Sequence, residues 1–299
     1  MGLWYLVQDE SGLVHNCRLK GKFKLQGKKV SNPVAVGDRV TLIDDVSGDH
    51  TMIINQILPR DNYIVRTSPK KKGHSHIVAS NLDQAIVIAT VAEPRTSLGF
   101  IDRFLVSAEA YRIPAVIICN KIDLLSDDQL VALKEKMEEY VDLGYTVTYL
   151  SALDIDQVNQ LKNLLANKTS LISGHSGVGK STLINQLVPA AEQKTSEISD
   201  FVGKGTHTTT FAERFSLDAS THVIDTPGIK ELGIAEIESE ELSHYFPEFR
   251  AYLGQCKFNN CTHTHEPGCV IAHAYEAGEI SQTRYDSYLS MLLGDDNRR

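Results

Sequence analysis

No apolar run in the 299-residue chain approaches the roughly 20 residues that a membrane-spanning helix needs. The start, MGLWYLVQDESG, lacks the basic stretch and apolar core of a signal peptide. There is no internal repeat and no low-complexity tract. Cysteine is scarce, with five residues in all, and three of them (Cys256, Cys261 and Cys269) cluster with histidines. In a chain that reads as cytoplasmic, such a cluster indicates a metal before a disulfide. Cys17 and Cys119 stand alone, and Cys119 ends the apolar run PAVIIC as a buried small hydrophobe. Hydrophobic content of 42% and charged content of 23% belong to a globular protein long enough for two or three domains.

The net charge of −8 is unevenly spread. Residues 1–72 hold 12 Lys and Arg against 7 Asp and Glu, and the remainder holds 18 against 31. A basic module on an acidic body can still meet phosphate through its own face, although a solvated basic surface reads equally well. Residues 1–68 break into short strands, LWYLVQ, LVHNCRLK, DRVTLIDD, HTMIINQIL and DNYIVR, separated by turn formers. Five strands without a strong helix indicate a small barrel of OB type, a frequent oligonucleotide binder, or of SH3 type. SPKKKGHSH (68–76) reads as a polar basic linker. The rhythm then changes over 69–231. Short apolar runs (QAIVIATV, AVIIC, TVTYL, SLIS, THVID) alternate with helical patterns such as SDDQLVALKEKMEEYVDL, which predicts a mostly parallel sheet covered on both faces. Residues 232–299 read as helical, from EIESEELSHYFPEFRAYL through the Cys/His cluster to EISQTRYDSYLSMLL.

GHSGVGKS (174–181) matches G-x-x-x-x-G-K-[ST], between a strand-like run and a helix-compatible one. In this reading Gly174, His175, Ser176, Gly177, Val178 and Gly179 wrap the phosphates with backbone N–H groups, and the helix aims its positive end at them. Lys180 reaches the β/γ-phosphates, Ser181 ligates Mg²⁺, and Thr182 lies alongside. His175 reads as a tolerant loop position and not as a catalyst. NKID (120–123) chooses the base. Asp123 accepts from the guanine N1–H and 2-amino group, which adenine does not offer as a pair, while Asn120, Lys121 and Ile122 hold the base. SAL (151–153) adds backbone contacts from Ser151 and Ala152. In DTPG (225–228), Asp225 holds the Mg²⁺ water shell and the Gly228 N–H senses the γ-phosphate. GKGTHTTT (203–210) reads as a switch in which Thr209, or alternatively Thr208, ligates Mg²⁺ only when the γ-phosphate is present. Ile229 occupies the position where many GTPases orient water with glutamine, so slow intrinsic turnover and activation by a partner are expected.

The elements run in the order base reader, SAL, phosphate loop, Thr switch, DTPG, a rotation of the ordinary order. Permuting a chain relocates its ends and leaves packed layers alone. With NPVAVGDRV in the barrel, this order and CKFNNCTHTHEPGC near the end, the chain resembles the ribosome small subunit-dependent GTPase A (RsgA, also YjeQ) family of circularly permuted GTPases over nearly its full length. The resemblance implies three parts: an OB-like barrel, a permuted α/β GTPase domain and a C-terminal helical zinc-binding domain. It implies GTP hydrolysis in late maturation of the small (30S) subunit, contacts to 16S rRNA and stimulation by the subunit; a GTP-gated RNA-binding translation regulator is the alternative. It also implies that His207 in the switch assists hydrolysis. Cys256, Cys261, His263 and Cys269 give C-x₄-C-x-H-x₅-C, a closed structural zinc set; His265 competes with His263, and the resemblance favours His263. A cytoplasmic monomer is expected, without an extended basic leader before the barrel.

Overall fold

The computed structural model describes residues 4–20, 33–45, 51–67, 75–188, 212–226 and 237–294. The first four expected strands, β1 (Tyr5–Gln8), β2 (Val14–Leu19), β3 (Val40–Asp44) and β4 (Met52–Ile57), form one small sheet in the order β1-β2-β4-β3 around Cys17, Val34 and Ile54. The fifth, β5 (Tyr63–Thr67), pairs antiparallel with β6 (Ser75–Ser80). The linker reading of 68–76 therefore changes at its end. The Lys-, Pro- and Gly-bearing stretch hides a strand that begins at Ser75 and continues through the apolar Ile77, Val78 and Ala79. The expected boundary at 68/69 lies outside the described residues, between these two paired strands, and so does the boundary at 231/232.

NPVAVGDRV joins the small sheet to this hairpin. Val36 bridges Ala79, and the Ser80 N–H donates to the Val36 carbonyl at 2.9 Å. The buried Asp38 carboxylate accepts from Arg60 Nε and Nη2, both at 2.6 Å, from the Ser80 hydroxyl at 2.5 Å and from the Ala35 N–H at 2.8 Å. Gly37 has φ of +91°, and a Cβ there would stand 2.2 Å from the Ser80 carbonyl oxygen. Only glycine satisfies both the left-handed backbone and the close approach.

The central sheet has the order β11-β12-β10-β7-β8-β9, from β7 (Gln84–Ala89), β8 (Ala115–Cys119), β9 (Thr146–Tyr149), β10 (Thr169–Gly174), β11 (Glu213–Ser216) and β12 (His222–Asp225). All neighbours are parallel except β11 with β12. Side chains alternate between two cores, as strand geometry requires. Ala85, Val87, Ala89, Ile117 and Leu171 meet α1 (Leu98–Ala110) and α2 (Asp127–Asp142) on one face. Ile86, Ile88, Val116, Ile118 and Ile172 meet α3 (Ile155–Leu165) and α4 (Lys180–Leu187) on the other. Helix α2 starts where its sequence says, with Ser126 and Gln129 forming a reciprocal capping box. Because β10 lies between β7 and β12, the phosphate loop is central although it is encoded late.

The C-terminal module is helical in a tighter form than the sequence pattern predicts. In place of an α-helix over EIESEELSHYFPEFRAYL there are two 3-10 segments, Leu242–Tyr245 and Pro247–Tyr252. Pro247 has no N–H to donate, so an α-helical ladder cannot run through it. Helices α5 (Val270–Glu276) and α6 (Gln282–Leu293) follow. Phe246, Phe249 and Tyr288 form the centre of this core, with ring centroids 5.0 to 5.4 Å apart.

Gly37→Ala is expected to lower unfolding stability by about 3 kcal/mol, from backbone strain and overpacking against β6. Denaturant melts measure this, and an unchanged midpoint would rule out the clamp as described.

Candidate nucleotide site and metal cluster

Parallel pairing brings the carboxyl ends of β7, β8, β10 and β12 to one edge of the sheet: Gly174 opposes Ile88, Ala89 opposes Cys119 and Ile172 opposes Asp225. Ligands bind at such edges. The phosphate loop leaves β10 there and enters α4 at Lys180. Gly179, with φ of +90°, lets the loop turn, and a Cβ on it would lie 2.3 Å from Asn120 Nδ2. Ser176, Gly177, Ser181 and Thr182 are exposed, whereas Val178 is buried. The first N–H groups of α4 have no partner within the helix, which makes its start at Lys180 a favourable place for an anion.

Asn120 is 2% exposed. Its Nδ2 donates to the Val178 carbonyl at 2.7 Å, and its Oδ1 accepts from the Ala152 N–H at 2.8 Å. The carboxamide thus ties the phosphate loop to SAL, a role the sequence reading did not foresee. Lys121 has φ of +63°, and its Nζ donates to the Glu93 carbonyl at 2.5 Å. Ile122 and Asp123 open a 3-10 turn, Ile122–Leu124, in which Asp123 is exposed. The Ser151 N–H donates to Gln157 Oε1 at 2.7 Å, and Gln157 is itself fixed by Asp154, the N-cap of α3. Gln157 escaped the sequence reading, although the spacing D-x-x-Q after a strand is a capping signal.

Lys180 and Asp225 form a direct ion pair across the base of the site, both largely buried. Burial pushes the Asp225 carboxyl up, and Lys180 opposes that shift. Each residue holds the other's charge where the expected ligands, phosphate and a divalent cation, would take over the pairing. Thr226 is buried and donates to the Ile172 carbonyl at 2.9 Å, which fixes the start of DTPG. His207, Thr208, Thr209, Gly228 and Ile229 lie outside the described residues. The His175 ring packs on Phe100 of α1, with centroids 3.8 Å apart.

In the C-terminal module, the ligand atoms of Cys256, Cys261, His263 and Cys269 all lie within 4.8 Å of one another. His263 Nδ1 is 3.5 Å from the Cys256 and Cys269 sulfurs, which are 3.9 Å apart. A tetrahedral zinc with ordinary bond lengths requires about 3.5 Å for S···N and about 3.8 Å for S···S, which Cys256, His263 and Cys269 match, and the Cys261 sulfur lies within 4.8 Å of all three. His265 is turned away, its Nδ1 2.8 Å from the Thr264 hydroxyl. Burial pushes the Cys261 thiol up to about 12, an effect that a bound dication reverses. The loop is held by α6: the Tyr285 hydroxyl donates to the His263 carbonyl at 2.6 Å, and the Tyr288 hydroxyl to the Thr262 carbonyl at 2.8 Å.

A family model described as RsgA GTPase matches residues 57–235. The chain is 50% identical over 299 residues to the small ribosomal subunit biogenesis GTPase RsgA of Cytophaga hutchinsonii, covering all of this chain and 97% of the relative. It is 49% identical over 291 residues to RsgA 2 of Bacteroides thetaiotaomicron, covering 97% of this chain and 93% of the relative. Among solved structures, YjeQ from Thermotoga maritima superposes with a TM-score of 0.75 at 37% identity, over 99% of this chain and 95% of that one. YloQ, a circularly permuted GTPase, gives 0.72 at 31% identity, over 99% and 92%.

Protein purified without chelator should carry one zinc per chain, and its removal should melt the 256–293 region. Metal analysis with far-ultraviolet dichroism checks this; a chain that loses no structure on metal removal would contradict a structural role.

Proposed function

As a member of the RsgA GTPase family the chain is a GTP hydrolase of small ribosomal subunit biogenesis, and we propose that docking on the 30S particle, through 16S rRNA, stimulates its turnover during late maturation in the cytoplasm. The observation that supports this reading best is the convergence of Asp123, the phosphate loop and the Lys180–Asp225 pair on one sheet edge. Asp123 accepts from the guanine N1–H and 2-amino group. Amides from Gly174 to Gly179 and the N-terminus of α4 bind the phosphates, and Lys180 exchanges Asp225 for the β/γ-phosphates as GTP enters. Ser181, Thr209 and Asp225 would hold Mg²⁺, which when bound supplies neutralising charge at the β- and γ-oxygens. His207 orients the attacking water. The Ile229 side chain has no donor or acceptor for that task, which makes basal turnover slow and leaves room for a partner to complete the site. The zinc held by Cys256, Cys261, His263 and Cys269 is structural, since four protein ligands leave no open position.

RNA contact falls to the N-terminal sheet β1–β4. On its β1–β2 face Trp4, Leu6 and Val14 are exposed, and the Arg18 guanidinium lies 4.1 Å from the Trp4 ring centroid. An aromatic ring with a stacked cation suits an unpaired base. Many of the module's lysines, including Lys22, Lys24, Lys28 and Lys29, lie outside the described residues.

Turnover measured with 30S particles, 70S particles and transfer RNA at two salt concentrations tests the proposal. Stimulation by 30S alone, falling steeply as salt rises, is the expected result. Equal turnover with and without 30S would refute it.

A further inference from the structure

Helix α1 belongs to two cores at once. Phe100, Ile101, Phe104, Leu105 and Ala108 pack on the central sheet, whereas Val106 sits in the core of the C-terminal module. The stripe at 102, 106 and 109 faces that module, as positions about one and two turns apart must. Asp102 is fully buried. It accepts from Arg284 Nη1 at 2.6 Å, from the Tyr140 hydroxyl at 2.8 Å and from the Ser287 hydroxyl. Arg284 is 1% exposed, donates also to Glu248 at 2.7 Å and lies 4.8 Å from the Phe246 ring centroid. Glu109 pairs with Arg250 at 2.5 Å. Removing one member of such a buried pair leaves an uncompensated charge, so the helix and the module keep one mutual pose.

The other end of α1 lies under the nucleotide site. Phe100, whose N–H is capped by the Ser97 hydroxyl, is 4% exposed and carries the His175 ring. The segment leading into the helix faces the same loops. A Cβ on Gly177 would be 3.2 Å from Pro94 Cδ, and Lys121 holds the Glu93 carbonyl. That segment is itself pinned: the Thr90 N–H donates to Thr96 Oγ1 at 3.0 Å, and the Thr96 N–H to the Thr90 carbonyl at 2.8 Å. One 13-residue helix and its lead-in therefore touch the phosphate loop, the base-reading loop and the zinc module.

We propose that Phe100 is a positioning residue for the phosphate loop, and that α1 links it to the C-terminal module, so that nucleotide occupancy and the order of α6 bias each other. The linkage is reciprocal by thermodynamic necessity. It runs through packed side chains. It rests on the reading of this edge as a nucleotide site and is independent of the ribosome.

Hydrogen exchange on the full zinc-loaded chain, with and without GDP, tests the linkage. GDP should slow amide exchange across residues 282–293 several-fold in the wild-type protein. Phe100→Leu should abolish that protection and raise the Kd for GDP about three- to tenfold, the worth of an aromatic pair. His175→Ala, which removes the other ring of the pair at a half-buried position, should do the same and serves if Phe100→Leu does not fold. No GDP-dependent protection in the wild type, or full protection retained in His175→Ala, would overturn the proposal. Loss of 30S stimulation alone would leave it standing, because no ribosome enters the measurement.

Discussion

The carboxamide of Asn120 joins two loops that the chain encodes far apart. Its N–H₂ group meets Val178 in the phosphate loop, and its oxygen meets Ala152 in the loop after β9. Both partners are backbone groups in a buried setting, where a lost hydrogen bond leaves an unsatisfied donor or acceptor at a cost of about 1–3 kcal/mol each. The permuted order of the motifs is compatible with one pocket because β8 and β10 both flank β7, so Asn120 and Gly174 emerge at the same sheet edge, one on each side of β7. Gly179 completes the arrangement, since any side chain there would collide with the carboxamide.

Around this joint, two buried ionic centres set the pose of the flanking modules. Asp38 with Arg60 and Ser80 fixes the N-terminal sheet to the β5–β6 hairpin. Asp102 with Arg284 and Glu248 fixes the C-terminal module to α1. Burial pushes the Asp102 carboxyl up while Arg284 pulls it down, and the Arg284 guanidinium is driven down by burial but raised on balance by Asp102 and Glu248. Such pairs add little net stability over apolar replacements, yet they tolerate few alternative arrangements. The modules are held by interactions that define geometry more than strength.

Much of this was legible in the residues. Strands β7, β8, β10 and β12 show as short apolar runs, the phosphate loop shows through glycine spacing, and α2 announces itself through its capping box. Strand β6 was hidden by the basic stretch before it, and the first C-terminal segment looked helical until Pro247 was weighed against its hydrogen-bond ladder. The ionic centres were illegible for another reason. Asp102 and Arg284 are 182 residues apart and belong to no periodic pattern. Asn120 was seen as a base-holding residue while its ties to the two loops were not, because a motif names a residue without saying where each of its hydrogen bonds goes. Phe100 belongs to none of the motifs, and nothing local in the sequence marks it as lying under His175.

Calorimetric titration of Asn120→Ala with GDP and, separately, with inorganic pyrophosphate tests the joint most directly. If Asn120 shapes the phosphate loop from behind, both ligands should bind on the order of 100-fold more weakly, the equivalent of about 3 kcal/mol. Pyrophosphate binding at wild-type strength, with only GDP weakened, would show that Asn120 serves the base alone and would contradict the account.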